Sequence, residues 1–171
     1  KGVVEMERSN IAERSSKLFP FSGIYSASKN LIDLEKNKKI DQHVNLVSLF
    51  WDTVGDNMDQ WRGVRIGNLS ATEVRRDYIH THVIILQALG MAGKDLMSQF
   101  PNNWKTKIKN LKKINWLKNN PEWHQRVIVN GRVVKNSNSI ILAANLIKKA
   151  IGARLSVKEK ALESNMKKNG K

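Results

Sequence analysis

From Tyr78 to Gly93 the chain carries no Lys, Arg, Asp or Glu, and this stretch lies inside a longer run with apolar residues at helical spacing. Ser70-Ala-Thr-Glu73 has the form of a capping box and opens the run, while Pro101-Asn-Asn103 closes it. One helix over about 71–99 is predicted. Val74, Tyr78, His82, Ile85, Leu89, Ala92 and Leu96 fall on one stripe, and Arg76, His80, Gln87 and Lys94 on the opposite side as a candidate functional strip. Ile79, Leu86 and Met97 make the flanks apolar too, so the helix is expected at the centre of the fold, wet along a narrow strip only. The uncharged stretch is shorter than the roughly 20 residues of a membrane span, so no membrane contact is expected.

The other segments arrange themselves around that helix. Residues 1–35 read as a helical amino-terminal stretch, a break at Phe19-Pro20-Phe21 and a helix near Ile24 to Leu34, followed by a charged connector at Lys36 to Lys39. From Asp41 to Trp61, the residues Val47, Phe50, Trp51, Val54, Met58 and Trp61 share one side of a core-facing helix. Trp104 to Leu117 alternates lysines with Ile108, Leu111 and Ile114, which suits a short docked helix with projecting lysines. Asn130-Gly131 sits between β-branched runs and predicts a small hairpin over about 126–134. A helix from Ile140 to Ile151 stops at Gly152, and Ser156-Val-Lys-Glu159 opens a last one. The expected fold is mainly α: one helical domain spanning 1–171, with one small hairpin.

Charge divides this chain in two. Residues 1–103 hold 13 Lys plus Arg against 12 Asp plus Glu, whereas residues 104–171 hold 17 against 3, a net of +14. Solubility alone does not require such segregation, which points to a polyanionic partner. The expected nucleic-acid contacts are Lys105, Lys107, Lys109, Lys112, Lys113 and Lys118, then Arg126, Arg132 and Lys135 around the hairpin. Asn145, Lys148 and Lys149 join them, because they lie on the side of their helix away from Ile140, Ala144, Ile147 and Ile151. The tryptophans are read as core anchors rather than base-stacking platforms.

Catalytic and metal chemistry find little support in these residues. Cysteine is absent, which excludes disulfides and thiolate sites and fits a reducing, cytoplasmic setting. His80 and His82 are two apart on the predicted helix and point about 200 degrees from each other, so they cannot share one ion. His82 is expected to be a hydrogen-bonded core histidine and His80 to sit on the polar strip. Asp52, Asp56 and Asp59 gather on one helix face and could hold magnesium, but an acidic solvent face accounts for them equally. The chain has no glycine-rich phosphate loop, no nucleophile elbow and no His-Glu-x-x-His sequence, so no enzyme, metal or cofactor is expected. It begins at Lys1 with no signal core, and is expected to be part of a longer protein.

Several sequences taken together resemble one family. Arg14-Ser-Ser-Lys-Leu-Phe19, Phe50-Trp51, Arg76-Asp-Tyr-Ile-His-Thr-His82 with Gln87-Ala-Leu-Gly90, Asn120-Pro-Glu-Trp123, Gly131-Arg132 and Asn145-Leu-Ile-Lys148 look like the carboxy-terminal part of the DndB proteins of DNA sulfur modification. The resemblance implies a system in which other proteins replace a non-bridging phosphate oxygen of DNA by sulfur. This family's member would bind DNA and regulate transcription of the modification gene cluster, with other modification proteins as further partners and self-association open. The family's Asp-Gly-Gln-His-Arg signature is absent from this chain, so no residue of that region carries over. Two alternatives stand beside this reading. One is an accessory domain of a ParB-like nuclease or nucleotide-hydrolysing enzyme, with Arg76, Asp77 and His80 lining a shared site. The other is a scaffold for the modification proteins.

Overall fold

The computed structural model describes residues 2–32 and 40–169. Among them are eight α-helices and two small pairs of strands, a mainly α architecture. The helices are α1 (Phe21–Leu31), α2 (Ile40–Asp56), α3 (Asp59–Arg65), α4 (Ala71–Asp77), α5 (Val83–Gln99), α6 (Trp104–Ile108), α7 (Ser137–Ile151) and α8 (Val157–Asn169). Strand β1 (Val4–Glu5) pairs in parallel with β2 (Phe19–Pro20), and β3 (Ile128–Val129) pairs antiparallel with β4 (Arg132–Val133). The expected connector at 36–39 lies outside the described residues.

Helix α5 is the centre, packed most extensively against α1 and α7. Its residues Ile85, Leu86, Ala88, Ala92 and Leu96 are all 0% exposed. The approach of α1 is set by small residues. A Cβ on Gly90 would stand 2.2 Å from the carbonyl oxygen of Ala27, so only glycine lets the two backbones come this close. The apolar side expected of residues 41–61 is present, with Phe50, Val54, Met58 and Trp61 buried. It is shared by α2 and α3, because the chain leaves the helix at Asn57 and Met58.

The helix expected over 71–99 is not continuous. It breaks at Tyr78, which is extended (φ −111°, ψ 138°), passes through a 3-10 turn at Ile79–Thr81, and restarts after a second extended residue, His82. The cause is a pairing with a distant segment. Ile79 N–H donates to the Trp116 carbonyl and Lys118 N–H to the Asp77 carbonyl, each at 2.9 Å, and these bonds replace the helical ones. Ser70 stands at the N-cap of α4 with no side-chain cap bond.

The amino-terminal stretch, expected to be helical, contains β1 and irregular chain instead. Its backbone is satisfied by other means: the Arg75 guanidinium donates to the carbonyls of Ala12, Glu13, Ser15 and Lys17. The basic segment after Pro101 is helical only to Ile108 and continues as a 3-10 turn through Lys113. The hairpin forms as expected but is shorter, with Asn130 (φ 50°) and Gly131 (φ 72°) both left-handed at its turn. Helix α7 starts earlier than expected, at Ser137, where the Asn136 side chain accepts from Ser139 N–H at 2.8 Å. The box that opens α8 is reciprocal. Ser156 Oγ accepts from Glu159 N–H at 3.3 Å, and Glu159 Oε2 accepts from Ser156 N–H at 2.8 Å.

Candidate nucleic-acid interface

The basic residues expected to meet nucleic acid separate into two groups. Lys105, Lys109, Lys112, Lys113, Arg132, Lys135 and Lys149 are exposed, and Lys107 and Lys118 are partly so. The apolar edge of the 104–114 segment docks through Trp104, Ile108, Leu111 and Ile114, all buried, and its lysines are left projecting. Lys107 rests its ammonium 4.0 Å from the centre of the Phe100 ring. Lys118 donates to the Arg75 carbonyl at 2.8 Å, and burial pulls its pKa down against the nearby Asp77 carboxylate. Lys112 lies 3.8 Å from Asp59 with both side chains largely in water, a contact of little energetic weight.

Arg126, Asn145 and Lys148 were expected on that surface, and the structure places them inside. Lys148 is 0% exposed, with its ammonium between Asp95 of α5 and Glu159 of α8. Arg126 donates to the Leu142 carbonyl at 3.1 Å and forks onto Glu163, with Nη2 2.9 Å from Oε2. Asn145 donates to the Glu159 carbonyl at 3.3 Å. A helical wheel gives the side on which these residues lie, but α8 covers that side. Two glutamates four apart in an otherwise lysine-rich last helix were the signal that could have disclosed the cover.

The strip of Arg76, His80, Gln87 and Lys94 does not assemble, because the break at Tyr78 resets the helical phase. Arg76 is exposed and binds its neighbour Asp77 at 2.8 Å, Gln87 is partly buried, and Lys94 is exposed. His80 is 0% exposed, contrary to its expected place in water. Its Nδ1 accepts from Trp61 Nε1 at 3.0 Å and its Nε2 faces Gln60 Oε1 at 3.3 Å. Tyr78 stacks on it at 5.2 Å, and Trp116 meets it edge-on at 5.7 Å. Burial, then the charge of nearby His82, lowers its pKa to about 3. His82 is only partly buried at the N-cap of α5. Burial first, then Lys118 and Lys135, brings its pKa to about 4.

The tryptophans of the basic half are core residues, as expected: Trp104, Trp116 and Trp123 are buried, and the last two stack at 5.4 Å. Two aspartates of the expected stripe face cations, Asp56 at the end of α2 3.4 Å from Arg65 and Asp59 at the start of α3 3.9 Å from Arg62. Among the described residues, no three His, Asp or Glu side chains group closely enough to hold a metal, and no helix is long and apolar enough to cross a membrane.

Fold and surface together define a mainly helical protein whose carboxy-terminal half exposes many lysines and, among its described residues, one exposed carboxylate, Glu122. The chain belongs to the DndB family, described as DNA-sulfur modification-associated, whose family model matches residues 1–154. It is thereby a protein of DNA sulfur modification. No match is found among curated proteins or among solved structures.

Proposed function

We propose that this chain is a DNA-binding regulatory element of the phosphorothioate modification system, acting on transcription of the modification genes and not itself a catalyst. The observation that carries this reading is how folding treats the charge of residues 104–171. Two of the three carboxylates there, Glu159 and Glu163, are consumed by internal cations, which leaves Lys105, Lys109, Lys112, Lys113, Arg132 and Lys135 exposed with almost no acidic counterweight. Such a surface neutralises phosphates without reading sequence, and sequence preference then needs a few directional contacts. Arg132 at the tip of the β3–β4 ribbon is the exposed guanidinium best suited to that role.

The test is a gel-shift series with the promoter of the protein's own gene cluster against random duplex of equal length. The expected result is binding to both, tighter on the promoter, with Arg132→Ala reducing the difference. Absence of binding to either duplex at about 0.1 M salt would end the proposal.

A further inference from the structure

The polar contacts of helix α8 with α7 are ion pairs and hydrogen bonds, made on the face where Leu162 and Met166 are partly buried. Among the described residues, the helix contributes no side chain to the hydrophobic core or to the partly buried apolar shell around it, and its first residue, Val157, is 83% exposed. The contact is made by Glu159 and Glu163, one turn apart. Glu159 meets the Lys148 ammonium, which Asp95 also meets. Glu163 accepts from Arg126 Nη2 at 2.9 Å and from Lys149 Nζ at 2.5 Å. Beside them the Asn145 Oδ1 is buried without a hydrogen-bond partner, although its amide nitrogen is bonded. Three cations and an amide thus form one face, and two carboxylates occupy it. A guanidinium fork and ammonium groups donate to phosphate oxygens in the same geometry as to carboxylates. The family match stops at residue 154, before α8 begins.

We propose that α8 is a displaceable cover over a second phosphate-binding face, formed by Arg126, Lys148 and Lys149 with Asn145, and that duplex DNA takes the places of Glu159 and Glu163. This rests on the DNA-binding reading above. Exchange of carboxylate for phosphate keeps each cation paired, so the face need not pass through an uncompensated state in which a buried charge stands alone. The idea also reverses a simple expectation. Residues 156–171 carry five lysines and two glutamates, so by net charge α8 should aid DNA binding, whereas as a cover it opposes it.

The experiment measures affinity for a 20-base-pair duplex at 0.15 M salt with three full-length chains. They are the unaltered chain, Glu159→Gln/Glu163→Gln, and Glu73→Gln/Glu122→Gln, which makes the same charge change at two exposed sites. The first variant is expected to bind at least about tenfold tighter than the second, with a salt slope steeper by about 2 to 3 as the uncovered cations engage phosphates. Equal affinity of the two variants overturns the cover and leaves the DNA-binding reading intact. Binding by the first variant alone would mean that DNA does not displace α8 from the unaltered chain and overturns the proposal, and binding by none of the three ends both proposals. Should Glu159→Gln/Glu163→Gln lose helical circular dichroism, hydrogen exchange on the unaltered chain decides. Faster exchange of the α8 amides upon DNA addition supports displacement, and unchanged or slower exchange overturns it.

Discussion

His80 takes its tautomer from its neighbours. Trp61 Nε1 can only donate, so Nδ1 of His80 accepts, and the ring proton is on Nε2 toward Gln60. His80→Ala leaves a cavity between Trp61, Tyr78 and Trp116 and an unpaired indole N–H. We expect a loss of about 3 kcal/mol in urea unfolding at pH 8, and less than about 1 kcal/mol for the half-buried His82→Ala. The same residues set an acid limit. Burial first, helped by the charge of His82, holds His80 near pKa 3, and burial followed by Lys118 and Lys135 holds His82 near 4. Both lie below the unfolded value of about 6.5, so the folded protein keeps them neutral while the unfolded chain takes up protons. Their contribution is therefore complete above pH 6.5 and is lost as pH falls toward 4. The steepest expected slope is about 2.7 kcal/mol per pH unit, two protons per molecule. Glu163 extends the loss to lower pH. Its own burial pushes its pKa up, but hydrogen bonds from Arg126 and Lys149 prevail and bring it to about 2, so its stabilisation fades below about pH 4.5. A pH series of urea midpoints checks this: His80→Ala should remove about half the slope between pH 6 and 4.5, and an unchanged slope would mean that His80 does not resist protonation in the fold.

At the scale of elements, the contact between α1 and α5 depends on the missing side chain of Gly90. Gly90→Ala puts a methyl group 2.2 Å from the Ala27 carbonyl oxygen and must push the helices apart. We expect about 2 to 4 kcal/mol of destabilisation by thermal melting, more than overpacking at a yielding site, because the obstacle is backbone. Elements whose cause is local were legible in the sequence. The Asn130-Gly131 turn, the Ser156–Glu159 box, the stop at Gly152 and the apolar side of 41–61 all follow from short-range chemistry. The break at Tyr78 was not legible, because it is made by Trp116 to Lys118, nearly forty residues further on. The amino-terminal strand and the irregular chain after it were hidden for a similar reason, since β2 pairs with the strand and Arg75 donates to the carbonyls of Ala12, Glu13, Ser15 and Lys17. For the candidate interface, periodicity correctly separated the apolar edge of 104–114 from its lysines. It could not show that the polar side of α7 has a second helix lying on it.

For the whole molecule, the distribution of charge matters more than its total, and salt is the variable that reports it. Residues 104–171 carry a net of +14 and residues 1–103 a net of +1, with exposed lysines on α6, in the turn after it, beside the hairpin and along α7 and α8. Each phosphate neutralised on duplex DNA releases about 0.9 counterion, so contact with about 5 to 7 phosphates gives a slope of log affinity on log salt near −5 to −6. Lys112→Ala/Lys113→Ala should weaken promoter and random duplex by the same factor and make the slope shallower by about 2, because ammonium groups add charge without direction. These two lysines are exposed, so thermal stability should change by less than about 0.5 kcal/mol, which separates a binding defect from a folding one. An unchanged affinity at moderate salt would make this lysine pair solvated surface. A slope shallower than about −2 for the unaltered chain would be the more consequential result. It would mean that only one or two phosphates are engaged, and that the basic half serves a protein partner, whose contacts depend on buried surface more than on counterion release.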